Sequence, residues 1–227
     1  MTRPLAVFDI DGTLVDSRAS IHRATVEAAR AIGLPEPAYD QVRQIGGLSL
    51  HEALRTLAPA LTDAELAEFV AAFQASFRRM YEAGHEEPLY PGVMAHLRRL
   101  RRDGWRLALA TGQNRRGVAR NLAREGWGEL FLSSHCAEDG PGKPDPAMLR
   151  AAMAACEAAP EATAMIGDTA HDIRMARAAG VHPLGVGWGF HTVEEQIAAG
   201  AVHVAADFAA LEGALDRFAA AARKAMV

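Results

Sequence analysis

Cysteine, positive charge and long apolar runs are all in short supply in this chain, and each shortage excludes something. The 227 residues include only two cysteines. Cys136 and Cys156 fit no metal-ligand or redox spacing, so they read as core or half-buried thiols in a reducing compartment. Lysine and arginine number 24 against 28 acidic residues, a net charge of −4. A general nucleic-acid binder shows the opposite balance, so an anionic partner has to be held by a local device. The nine histidines are scattered, with no His-Glu-x-x-His pair to mark a zinc site. No apolar stretch approaches the roughly 18 residues of a membrane span, and the N-terminus runs into an aspartate-rich segment without a signal-peptide pattern. The expectation is a cytoplasmic protein, monomeric or homodimeric, with no membrane and no nucleic-acid partner.

What is present is apolar bulk. Half of the residues are hydrophobic, enough for one large domain or a domain with an insertion. The organising stretch is Leu5-Ala6-Val7-Phe8-Asp9-Ile10-Asp11-Gly12-Thr13-Leu14. A buried strand that ends in two aspartates and a Gly-Thr turn delivers carboxylates to the rim of a sheet. Side chains alternate across a strand, so Asp9 and Asp11 can lean to the same side. At 4 Å two such charges repel by roughly 4 kcal/mol at an effective dielectric of about 20, which calls for a cation, a shared proton or open water. A surface Asp-Gly hairpin turn is the plainer alternative, but the segment after Gly12 reads as a helix and not as an alternating return strand.

From Asp16 to about Glu87 the pattern is helical throughout. Asp16-Ser17 can cap a first helix that Gly33-Leu34-Pro35 stops, and Ser49…Glu52 and Thr62…Glu65 read as capping boxes for helices near 49–57 and 62–83. Beyond Pro91 strands and helices alternate, with strands expected at 105–110, 130–133, 163–166, 181–186 and 202–204. Helices are expected at 92–102, 115–125, 146–156, 170–179, 192–199 and 208–224. Repeated strand–helix units imply an α/β fold: a Rossmann-like parallel sheet with helices on both faces. The helical block then reads as an inserted all-α cap domain, residues 16–87, on an α/β core of residues 1–15 and 88–227.

In such a sheet ligands sit beyond the carboxyl ends of the strands, so the polar residues at the end of each apolar run carry the information. Thr111-Gly112-Gln113-Asn114 offers a hydroxyl and free N–H groups at a helix start, a cradle for phosphate as well as a plain cap. Gly140-Pro141-Gly142-Lys143-Pro144 fixes a stiff loop with one lysine, either a point charge brought to a fixed spot or a solvated side chain. Gly167-Asp168 and Asp172 place two carboxylates on one face at another helix start. A cluster of three or four aspartates on one rim is costly without a divalent cation, and its oxygen donors suit Mg²⁺ better than zinc.

These four motifs, in this order and with a helical insertion after the first, resemble the haloacid dehalogenase-like hydrolase superfamily over essentially the whole chain. Asp11-Gly12-Thr13-Leu14-Val15-Asp16-Ser17 and Met175-Ala176-Arg177-Ala178-Ala179-Gly180 are similar to its phosphoglycolate phosphatase-like branch. The resemblance implies Mg²⁺-dependent hydrolysis of a small-molecule phosphate ester such as 2-phosphoglycolate, with Asp9 as nucleophile and Asp11 as acid and base. It further implies that Asp9, the Asp11 carbonyl, Asp168 and Asp172 serve the metal, that Thr111, Gly112 and Lys143 hold phosphoryl oxygens, and that Thr13 positions Asp11. Arg43 could meet a substrate carboxylate beside the backbone of Gly46 and Gly47, or be a solvated arginine at a glycine hinge. The chain departs from the branch at Gly112-Gln113, where many relatives carry Asn-Lys after the Thr or Ser. Trp188-Gly189-Phe190-His191 lies at the same rim, against the leaving group or as packing. A sugar phosphomutase of the same superfamily and a phospho-aspartate signalling module are the alternative functions.

Overall fold

The computed structural model describes residues 3–124 and 126–225. β1 (Leu5–Phe8) is buried at every position. Its alternation explains why: Ala6 and Phe8 enter one apolar cluster and Leu5 and Val7 the other, so both faces are covered. β2 (Arg106–Ala110), β3 (Ser133–His135), β4 (Thr163–Gly167), β5 (His182–Val186) and β6 (His203–Ala205) complete a parallel sheet of order β3-β2-β1-β4-β5-β6. The order reverses beside β1, which makes the gap between its end and those of β2 and β4 the switch point where ligands bind in open sheets. Phe8 pairs in register with Leu109 and Ile166, so Asp9, Thr111 and Asp168 emerge at nearly one level.

Helices cover the two faces. α5 (Val93–Arg102) and α10 (Phe208–Ala225) bring Leu97, Leu100, Leu211 and Leu215 to the Phe8 side, and α7 (Ala147–Ala155) and α8 (Ala170–Ala178) bring Met148, Leu149 and Met175 to the other. α6 (Arg115–Leu122) comes after β2 and α9 (Val193–Ala199) after β5. Between β1 and α5 lie α1 (Arg18–Ala31), α2 (Tyr39–Gln44), α3 (Leu50–Leu57) and α4 (Asp63–Glu82). They have an apolar cluster of their own, centred on Ala28, Ala29, Leu54, Leu66 and Phe69. The two chain segments that connect them to the sheet run side by side. Asp16 N–H donates to the Pro88 carbonyl at 2.9 Å and Tyr90 N–H to the Leu14 carbonyl at 3.1 Å.

The differences from expectation have local causes. The strand expected at 130–133 forms later, over Ser133–His135, because Trp127 and Phe131 bury themselves in the core from a turn, their rings 5.5 Å apart. The helix expected to reach 125 ends at Leu122, and residue 125 lies outside the described residues. Thr62 and Glu65 do form a reciprocal capping box, but Ser49 does not: its hydroxyl donates to the Glu52 carboxylate at 2.7 Å instead of capping α3. Ser17 stands at the start of α1 without a side-chain cap, while Asp16 is held by Arg18 at 2.8 Å. Among the described residues, the six-residue α2 is the one α-helix for which the periodicity sets no bounds.

Candidate active site

The ends of β1 and β4 and the loop before α7 converge on one buried group of charges. Lys143, whose side chain is fully buried, sets its Nζ 2.9 Å from Asp9 Oδ2 and 2.7 Å from Asp172 Oδ1. The Lys143–Pro144 peptide bond is cis. Asp9 Oδ1 accepts from the Ile10 N–H at 2.7 Å. Asp172 Oδ2 accepts from the Thr169 hydroxyl at 2.7 Å and its N–H at 3.1 Å, the capping box that starts α8. Asp168 is gripped from both sides, by the Thr13 hydroxyl at 2.8 Å and the Phe190 N–H at 2.7 Å. Gly12 makes this possible: it turns the chain at φ +77°, and any Cβ there would collide with the Asp168 carboxylate.

Burial raises the Asp9 carboxyl from 3.8 to about 7; Lys143 pulls it back and Asp172 pushes it up further. Asp168 is also driven well above its ordinary range, by burial and then by repulsion from Asp172 and Asp9. Burial pulls the Lys143 ammonium down, but Asp172 and Asp9 outweigh it and hold the group above its usual value. One lysine, on Asp9 and Asp172, thus serves a cluster of three buried carboxylates whose mutual repulsion a proton or a further cation would relieve. Asp9, Asp168 and Asp172 each offer an oxygen, all within 4.8 Å of one another. An all-oxygen donor set fits a hard divalent cation of the Mg²⁺ kind.

Asp11 stands apart from this group. It is only partly buried and lines a cavity of about 620 Å³ between the sheet rim and helices α1, α3 and α4. Desolvation raises its carboxyl, while Gln113 and Ser17 oppose the rise. Gln113 Nε2 donates to Asp11 Oδ2 at 2.8 Å. The amide is itself oriented: Asn121 Nδ2 donates to Gln113 Oε1 at 3.1 Å, Arg124 Nε to Asn121 Oδ1 at 2.9 Å, and Arg124 Nη2 to the Glu87 carbonyl at 3.0 Å. Gln113 is thus a site residue that the motif reading did not assign, and the departure at that position is the sequence signal that points to it. Thr111 is buried and Gly112 lies against the cap loop, where a Cβ would strike the Leu48 carbonyl. Both line the cavity with Asp9 and Asp11.

One expectation changes and two open alternatives narrow. Thr13 holds Asp168, not Asp11, because its hydroxyl turns across to the end of β4. Arg43 does not project into the cavity: its guanidinium pairs with Glu195 at 2.9 Å and Asp40 at 3.2 Å, while Gly46 and Gly47 beside it do line the cavity. Trp188-Gly189-Phe190-His191 braces the site instead of lining it. The Trp188 indole donates to the Thr13 carbonyl at 3.1 Å, and His191 Nδ1 accepts from the Ala170 N–H at 3.0 Å.

Comparison with known proteins agrees with this geometry. A family model described as haloacid dehalogenase-like hydrolase matches residues 4–180. The probable phosphatase IndB of Dickeya dadantii is 35% identical over 199 residues, 87% of this chain and 86% of that protein. The phosphoglycolate phosphatase of Vibrio cholerae is 34% identical over 193 residues, 82% and 85% of the two chains. The tyrosine-protein kinase PtkA of Mycobacterium tuberculosis is 33% identical over 82% of this chain, which spans 62% of its length. A solved hydrolase from Pseudomonas syringae superposes with a TM-score of 0.84 at 25% identity, over 95% of this chain and 99% of that one. By sequence and by fold alike, the chain is an enzyme of the haloacid dehalogenase-like hydrolase family.

Proposed function

We propose that the protein is a Mg²⁺-dependent phosphomonoesterase that works through an aspartyl-phosphate on Asp9, with residues 16–87 as a cap over an α/β core. The observation that carries this reading is the division of labour between two aspartates two residues apart. Asp9 is buried and held by an ammonium 2.9 Å away, whereas Asp11 faces the cavity with a raised carboxyl and an amide on one oxygen. Burial raises both carboxyls, but only the first has an ammonium beside it to favour the anionic, attacking form, while the second, open to the cavity, is suited to pass a proton. Relatives named as phosphatases, phosphoglycolate phosphatase among them, support a small organic monophosphate as substrate.

In the first step an Asp9 oxygen bonds to phosphorus as the ester P–O bond breaks, and Asp11 gives its proton to the departing alkoxide. In the second, Asp11 takes a proton from water as its oxygen attacks phosphorus, which returns Asp9 as carboxylate and releases phosphate. Lys143, Thr111 and the N–H groups after it would hold the phosphoryl oxygens, the electrostatic work that dominates phosphoryl transfer. Asp9, the Asp11 carbonyl, Asp168 and Asp172 would hold Mg²⁺, which when bound neutralises charge on the nucleophile and the phosphoryl group.

Phosphate release from a panel of alkyl and aryl phosphates, with Mg²⁺ or with EDTA and beside Asp9→Asn, tests this reading. Near-complete loss is expected in both controls. Undiminished turnover in Asp9→Asn removes Asp9 as the nucleophile. Release of free phosphate without a bisphosphate activator separates hydrolysis from the mutase alternative.

A further inference from the structure

The cavity over Asp9 and Asp11 is far larger than a phosphoryl site needs. At about 620 Å³ it lies inside the roughly 300–1,000 Å³ range of pockets that take drug-sized ligands, and a two-carbon phospho-acid would leave most of it to water. Its far wall is apolar: Ile21 from α1, Leu50 and Leu54 from α3, and three rings of α4, Phe73, Phe77 and Tyr81. Steps of four put these rings on one helix face. Their centroids are spaced at 5.0 Å and 6.0 Å with planes tilted by 42° and 36°. Phe73 leans on the apolar cluster of α1, α3 and α4, while Phe77 and Tyr81 carry the row past it along the cavity. All three are half-buried. Aromatic surface lining a cavity stays wet until a ligand covers it.

The charges around this wall are of both signs, Arg78, Arg116 and Arg120 beside Glu82 and Glu87, so the apolar rings and the volume, not the charge, single out the leaving group. Arg43 is paired with Glu195 and Asp40. Arg120 lies over the Tyr81 ring, 3.5 Å from its centre, and the Tyr81 hydroxyl donates to the Glu87 carboxylate at 2.8 Å. Glu87 is thus taken up by Tyr81, and the ring row keeps its own polar tip satisfied. Resting on the phosphatase reading above, we infer that the leaving group is a ring-bearing alcohol, an aromatic or heteroaromatic body on a short linker, seated against Phe73, Phe77 and Tyr81.

Non-hydrolysable phosphonates test this by binding alone, without turnover. Calorimetry with Mg²⁺ present would compare 3-phenylpropylphosphonate, propylphosphonate and 3-phosphonopropionate, the last a mimic of phosphoglycolate. Covering one ring is worth about tenfold to hundredfold in affinity, so the phenyl compound is expected to bind at least tenfold tighter than propylphosphonate. Phe77→Ala should narrow that margin at least threefold, and Phe77→Leu, which keeps bulk without the ring, should narrow it less. A margin under tenfold, a margin that Phe77→Ala leaves unchanged, or tightest binding of 3-phosphonopropionate overturns the inference. Phosphate release from ethyl phosphate and 2-phenylethyl phosphate, lost in Asp9→Asn, keeps the phosphatase reading standing in that event. A ring preference in binding with no phosphate released from either ester removes that reading, and the leaving-group assignment with it.

Discussion

Asp9 and Asp11 are chemically identical side chains with opposite surroundings, and their environments separate their roles. Lys143 offsets the burial of Asp9, while Asp11 receives one neutral amide from Gln113. If Asp11 is the leaving-group acid, Asp11→Asn should lower turnover of alkyl phosphates by about 10²–10⁴ and that of p-nitrophenyl phosphate much less, since nitrophenolate departs without a proton. Gln113→Leu should show the same bias at smaller size, about tenfold on alkyl esters, because it loosens the acid without removing it. Equal damage to both ester types, read from steady-state kcat, would discredit the acid role. The residues at strand ends were legible because an aspartate after an apolar run has few structural excuses. The partners of those residues were not, since the Thr13–Asp168 bond spans 155 residues and depends on the sheet register.

Among the elements, the helices were read more reliably than their caps. Period and stop signals found α1, α3 and α4, but whether a serine caps depends on rotamer competition, and Ser49 prefers the Glu52 carboxylate. The edge strand Ser133–His135 has no apolar signature at all; its place is set by the parallel pairing with β2. Inside the helical block, Ser76 on α4 donates to Glu27 on α1 at 2.6 Å. This bond, with Arg23 and Arg79, lowers the Glu27 carboxyl from 4.5 to about 2. A carboxyl depressed on folding contributes stability that is full above its unfolded value and is lost as pH falls from about 4.5 toward 2. Ser76→Ala should therefore cost about 1–2 kcal/mol near neutrality and flatten the acid limb of stability between those values. Urea melts at several pH values would check it, and an unchanged acid limb would show that Glu27 draws its low value from the arginines.

For the molecule as a whole, three carboxylates from the ends of β1 and β4 and the first turn of α8 sit close enough to share one cation, so loading should be visible in stability as well as in activity. Saturating Mg²⁺ at about 100 times its dissociation constant contributes about 2.7 kcal/mol, a rise in Tm of roughly 5–10 °C for a chain of this size. Asp168→Asn should abolish most of the rise in a thermal melt, and a full rise in that variant would remove Asp168 from the ligand set. The parallel sheet was legible from alternation of pattern alone, whereas the cavity between it and the helical block was not, because its walls come from helices that no periodicity places face to face. One tie across that junction has a consequence for timing. Arg124 ends its run of bonds on the Glu87 carbonyl, so Asp11 is tied through Gln113, Asn121 and Arg124 to the peptide at one end of the helical block. If residues 16–87 act as a lid and Asp11 as the acid, an outward swing would slacken that run of bonds and leave the nucleophile without its acid until the lid shuts, and the deficit of Gln113→Leu would measure how strong that safeguard is.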